Sequence, residues 1–219
     1  LFTVFKDLFQ AWEVMLYILA ILTMSVGNLF ALRQQNMQRF LAFSSIAQAG
    51  FILLGMISGT QYGMATVIYF VLVYVFSNLG AFGVVAMVRN ASGKININDY
   101  DGFYETNPRL TLIMVLALFS LAGIPPVAGF FGKFFLFAAA AEQGHYGLVI
   151  FAVVNTIVSL YYYLMVVKAM MINKNETPIP HIKGNFLPRV ALGISVLGIV
   201  LVGIFSQVFD WVEMVSWGM

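Results

Sequence analysis

The side chain in this sequence best placed to do chemistry is Lys133. It is the one charge in the run from Leu110 to Ala141, 32 residues long. A charged group at the centre of a membrane-crossing helix costs on the order of 3 kcal/mol or more, and such groups are kept where they serve transport. The cost of the charged form depends on nearby charge and water. A lysine held at such a site can therefore take up and release a proton on each cycle. The bland alternative is a snorkelling lysine whose stem carries the ammonium to the headgroups. Lys133 stands eight residues before Ala141. That distance is about 12 Å along a helix, and the stem covers only about half of it. The expected chemistry is that of an intramembrane proton carrier.

A second group of residues shapes the run itself. A straight helix of 32 residues would measure about 48 Å, against a bilayer core of about 30 Å. Pro125 and Pro126 resolve the excess, because they donate no backbone hydrogen bond and clash with the preceding turn. Ile124 precedes a proline and is pushed away from helical dihedrals. Gly123 and Gly129 add freedom on either side. The reading is two half-helices joined by a non-helical break at membrane depth, a feature tolerated only inside protein or beside water.

Polar residues within other apolar runs are the remaining candidates. Ser44, Ser45 and Gln48 lie together, with 44 and 48 on one helical face. Tyr74, Ser77 and Asn78 share a face, as do Asn155, Ser159, Tyr162 and Tyr163. Taken singly, each reads as interhelical glue, the common use of Ser, Asn and Gln in membranes. As a set they read as a hydrated proton path leading to Lys133.

The elements that must position these groups follow from composition. The chain is 61% hydrophobic and 9% charged, against roughly 25% charged in a soluble domain. A net charge of +2 is too small to suggest nucleic acid. With no cysteine, disulfides, thiolate metal sites and cysteine-ligated iron–sulfur clusters are excluded. The fold expected is an all-α polytopic membrane protein, forming one transmembrane domain over residues 1–219. Six spans are predicted, about 14–32, 40–57, 64–88, 110–141 (broken), 146–167 and 190–209. Residues 1–13 read as an interfacial lead-in. The chain begins at Leu1, so the N-terminal part of a longer protein is expected to be left out.

Basic residues sort sharply between alternate loops. Arg33, Arg39, Arg89, Lys94, Arg109, Lys168, Lys174, Lys183 and Arg189 fall on one side, and Lys6 alone on the other. The positive-inside rule then places the loops at 33–39, 89–109 and 168–189 inside and both termini outside. Several motifs fail. Gly132-Lys133 lacks the rest of a phosphate loop. His145 and His181 are far apart, so no metal-ligand set is expected. Gly55-x-x-x-Gly59 runs into a turn. Asn175-Glu-Thr177 falls on the inner side, which discounts glycosylation. No nucleophile–base pair stands out.

Four stretches together carry a resemblance. They are Asn28 to Gly50 (NLFALRQQNMQRFLAFSSIAQAG), Tyr74 to Gly83 (YVFSNLGAFG), Leu121 to Phe134 (LAGIPPVAGFFGKF) and Tyr161 to Leu164 (YYYL). This combination resembles the antiporter-like membrane subunits of proton-pumping NADH:quinone oxidoreductase, respiratory complex I, and within them the subunit-N branch. The resemblance implies a fourteen-helix fold of two inverted repeats, of which this chain is similar to helices nine to fourteen. It implies that Lys133 is the lysine of the outward half-channel and that the first channel half is absent. Related subunits often carry His where Gln48 stands, and His or Lys on the helix of Tyr74 to Asn78. Uncharged residues here imply a relay through water, hydroxyls and amides. No cofactor is implied in this chain; NADH, FMN, iron–sulfur clusters and quinone belong to other subunits. The implied partners are other membrane-arm subunits of complex I and the lipid bilayer, with no nucleic acid. The implied location is an energy-transducing inner or plasma membrane of a bacterium. The alternative is a subunit of a multi-subunit cation/proton antiporter, which shares the broken helix and its lysine.

Overall fold

A computed structural model describes residues 9–183, 186–205 and 207–216. The lead-in around Lys6 and Asp7 lies outside the described residues. The helices are α1 (Phe9–Leu32), α2 (Met37–Ile57), α3 (Gln61–Ser92), α4 (Phe103–Thr106), α5 (Pro108–Ala122), α6 (Ala128–Glu142), α7 (Tyr146–Met171), α8 (Phe186–Ile204) and α9 (Gln207–Ser216), with a 3₁₀ turn at Ile97–Tyr100. Five of these are long and apolar enough to cross a bilayer: α2, α3, α7, α8 and the Trp12–Leu32 part of α1. The chain is thus an all-helical, multi-pass membrane protein. α5 and α6 have 15 residues each. At about 22 Å apiece, neither alone spans the hydrocarbon core.

Helical ends depart from the charge-free runs for local reasons. α1 is already helical at Phe9, inside the segment read as a lead-in. α3 continues past its apolar part through Arg89 and ends where Gly93 adopts φ 72°, a left-handed stop open to glycine. α8 starts at Phe186 and carries Pro188 in its first turn, where no intrahelical N–H is required. It ends at Ile204, and α9 then turns Phe209 onto Tyr62, Tyr69 and Phe135. The apolar run at 190–209 is therefore divided between α8 and α9.

α3 is the central post, packing against α2, α5, α6, α8 and α9, while α1 lies on α2 and α7. One apolar core joins α3, α5, α7, α8 and α9 around Val84, Met114, Leu118 and Ile199. A second joins α1, α2, α6 and α7 around Met24, Phe51, Leu136 and Leu148. Phe70 of α3 reaches into the second core.

The three basic loops are tied together at one end of the bundle. Met37 N–H donates to Ile95 O at 2.8 Å and Ile97 N–H to Gln35 O at 2.7 Å, around an antiparallel bridge between Asn36 and Asn96. Arg89 Nη1 donates to Gln38 Oε1, and Asn173 Nδ2 to Asp101 Oδ1. Gly102 N–H reaches Ala169 O at 3.2 Å. At the other end, His145 and Glu13 meet at 3.4 Å.

Candidate functional site

The site is built where α5 stops. Gly123 takes φ 82° and its N–H bonds to Phe119 and Ser120 carbonyls, while Ile124 N–H bonds to Phe119 O at 3.0 Å. This is the Schellman closure, in which a left-handed residue lets two N–H groups fold back on the last turn. Helix termini leave four carbonyls without intrahelical partners. The closure absorbs those of Phe119 and Ser120. The carbonyls of Leu121 and Ala122 remain, deep in the protein.

Two side chains take them. Lys133 Nζ donates to Ala122 O at 3.3 Å, and Gln48 Nε2 donates to Leu121 O at 2.9 Å. Lys133 is only 3% exposed. Its ammonium also stands 4.6 Å from the centre of the Phe51 ring, a cation–π contact that strengthens away from water. The negative end of the α5 dipole adds to the same preference for a cation. α6 can bring Lys133 here because Gly129 packs on the end of α5, where a side-chain carbon would collide with Ser120 O. A side-chain carbon at Gly123 would come within 3.1 Å of Lys133 Cδ. The two helices thus meet through their glycines, and the Pro125–Pro126 turn is exposed on the far side of that contact.

From Gln48 a chain of buried polar groups leads away towards the basic loops. Gln48 Nε2 lies 3.3 Å from the Tyr163 hydroxyl, which also neighbours Ser44 and Tyr162. Tyr162 OH donates to Asn28 Oδ1 at 2.9 Å. Asn28 Nδ2 donates to Asn155 Oδ1 at 2.9 Å and to Asn155 O at 3.0 Å. Tyr162 also lines a cavity of about 410 Å³ at the basic end, with Gln34, Asn98, Lys168 and Asn173 on its wall. A polar route therefore runs from that cavity to the end of α5.

The sequence candidates divide accordingly. Lys133, Gln48, Ser44, Tyr162, Asn155, Gly123 and Gly129 are brought into one connected region. Ser77 joins it at one remove, its hydroxyl 2.7 Å from that of Ser120. Ser44 and Ser77 also bond carbonyls of their own helices, Leu41 O and Val73 O; Ser45 and Ser159 bond only such carbonyls, Leu41 O and Thr156 O, among the described residues. Tyr74 stacks on Phe70. Asn78 Oδ1 and Gln48 Oε1 are buried acceptors with no protein hydrogen bond among the described residues. Asn28 and Ser120 were not among the sequence candidates. Asn28 is the one amide in the charge-free run 14–32, which was the available signal; Ser120 offered only its nearness to the break. Among the described residues no group of histidine and carboxylates could hold a metal ion.

A sequence model of the family described as "NADH:quinone oxidoreductase/Mrp antiporter, TM" matches residues 1–159. The chain belongs to this family. An NADH-quinone oxidoreductase subunit N from Phocaeicola vulgatus is 50% identical over 211 residues, covering 96% of this chain and 45% of that protein. A second subunit N, from Azobacteroides pseudotrichonymphae, is 49% identical over 220 residues, covering 100% of this chain and 46% of the relative. The chain thus spans less than half the length of these relatives. Among solved structures, a chain of respiratory complex I from Thermus thermophilus with bound aureothin aligns with TM-score 0.76 and 34% identity over 87% of this chain and 43% of its own length. The Mrp complex from Dietzia sp. aligns with TM-score 0.84 at 20% identity, over 94% of this chain and 47% of that one, which is a likeness of fold. Family membership is thereby established, together with an all-helical membrane fold similar to that of the complex I antiporter-like subunits.

Proposed function

We propose that this chain is part of a proton-translocating membrane-arm subunit of NADH:quinone oxidoreductase, with Lys133 as its proton carrier. The observation that carries the reading is the placement of the Lys133 ammonium on the carbonyl end of α5, reached by a buried amide and hydroxyl chain. In this reading α5 and α6 form one interrupted crossing, which with the five long helices makes six spans within one transmembrane domain. The interruption supplies Lys133 with unpaired carbonyls and keeps it in place when neutral or charged.

A proton enters from the basic-loop cavity at Tyr162. It passes by Tyr163, Asn28, Asn155, Ser44 and Gln48, whose free Oε1 accepts a further hydrogen bond. Ser77 and Ser120 border the break on the α3 side, and Asn78 offers another acceptor. The chain itself carries no cofactor in this reading; NADH, FMN, iron–sulfur clusters and quinone act in other subunits, and the membrane is the bacterial plasma membrane. The 50% identity to subunit N favours this over a cation/proton antiporter subunit.

Affinity purification of the full-length subunit from native membranes tests the assignment. Co-purifying subunits that oxidise NADH and carry FMN and iron–sulfur clusters are expected. Recovery with antiporter-type membrane subunits alone would overturn it.

A further inference from the structure

A pocket remote from Lys133 opens where α3, α5 and α8 meet the basic loops. Its volume is about 370 Å³, and it is lined by Arg109, Arg189 and His181 above Met87, Ile113 and Leu192. Among the described residues no carboxylate lines it. Neither guanidinium has a hydrogen bond or an ion-pair partner among the described residues. The rim is held in place rather than loose. Asn107, buried at the start of α5, donates from Nδ2 to Pro180 O at 3.2 Å and accepts Ile182 N–H at 2.8 Å. The Thr106 carbonyl can only accept, so His181 Nδ1 donates to it at 3.1 Å. These bonds seat the 179–182 segment beside Arg109.

The occupant must match both halves of the pocket. Two forked guanidiniums suit a phosphate, which they can grip through paired N–H groups. The apolar floor on helices that cross the bilayer suits an acyl chain. Leu112 on α5 and Ile194 on α8, the two helices that carry Ile113 and Leu192, are exposed. The nine basic loop residues mark this end as the inner face, where the leaflet carries anionic lipid and basic pockets between helices bind its headgroups. We infer that this pocket is a binding site for an anionic phospholipid of the inner leaflet, headgroup on Arg109 and Arg189 and acyl chain along Ile113 and Leu192.

The test uses the intact assembly containing the full-length subunit, in nanodiscs of phosphatidylcholine doped with photoactivatable phosphatidylglycerol. Peptides covering 107–113 and 186–192 should be labelled by this probe well above photoactivatable phosphatidylcholine. Millimolar inorganic phosphate should not displace it. Arg109→Gln with Arg189→Gln should lower the preference about twenty-five-fold, each guanidinium contributing about a factor of five. Arg109→Lys with Arg189→Lys should keep most of it. Equal labelling by the two lipids would overturn the site, as would an unchanged Gln variant. Displacement by free phosphate would identify a soluble-anion site instead, and cross-links to an acidic peptide of a neighbouring subunit would identify a protein contact; either result overturns the lipid assignment.

Discussion

Lys133 and Gln48 share the two carbonyls that the end of α5 leaves unpaired, and this pairing sets what single substitutions should do. Gln48→Leu removes the amide that bonds Leu121 O and faces Tyr163. A buried carbonyl without a partner costs about 1–3 kcal/mol. The complex should still assemble, with NADH-driven proton transfer slowed about tenfold in proteoliposomes, since a barrier rise of about 1.4 kcal/mol is tenfold in rate. Unchanged transfer would remove Gln48 from the path. Ser45→Ala should leave transfer untouched, because that hydroxyl bonds only its own helix. Lys133 and Gln48 were legible in the sequence because each is strongly polar in an apolar run. Asn28 was not, since a lone amide reads as glue until its partner is known. For Ser45 and Ser159, spacing puts a hydroxyl on a face but does not say whether its own helix has already satisfied it.

At the scale of elements, the close meeting of α5 and α6 carries the site. Gly129→Val would drive a branched side chain into Ser120 O and push the two helices apart. Overpacking of this kind costs about 1–3 kcal/mol. The expected outcome is a lower melting temperature of the assembled complex and loss of proton transfer; a variant that pumps normally would contradict the tight contact. Pro125→Ala with Pro126→Ala should keep assembly but lose transfer, because a continuous helix would consume the carbonyls that Lys133 needs. Acidification at the native rate in that double variant would reduce the break to a device for absorbing length. Two prolines between glycines stand in the stretch between the end of α5 and the start of α6. What they could not convey is that Gly123 closes a Schellman turn, which decides the two carbonyls left for side chains. α9 was likewise illegible, since its start lies inside the apolar run at 190–209 and only Phe209 packing on Tyr62 and Tyr69 separates it from α8.

For the whole molecule, the hydrogen bonds joining the loops at 33–39, 89–109 and 168–189 put nine basic residues on one end. This agrees with the charge asymmetry of the sequence, a pattern that needs no tertiary information. Cysteines introduced as Ser92→Cys and Gln143→Cys should be labelled by an impermeant reagent from opposite sides of the membrane. Labelling of both from one side would break the six-span arrangement. The central claim is that the proton moves through Lys133, and it is tested most directly by the ratio of protons moved per electron in the intact complex bearing Lys133→Met. Methionine removes the carrier and its burial cost together, so the complex should assemble, oxidise NADH and move clearly fewer protons per electron, with Lys133→Arg failing to restore the ratio because arginine holds its proton. A wild-type ratio in the methionine variant would make Lys133 a structural charge and contradict the account.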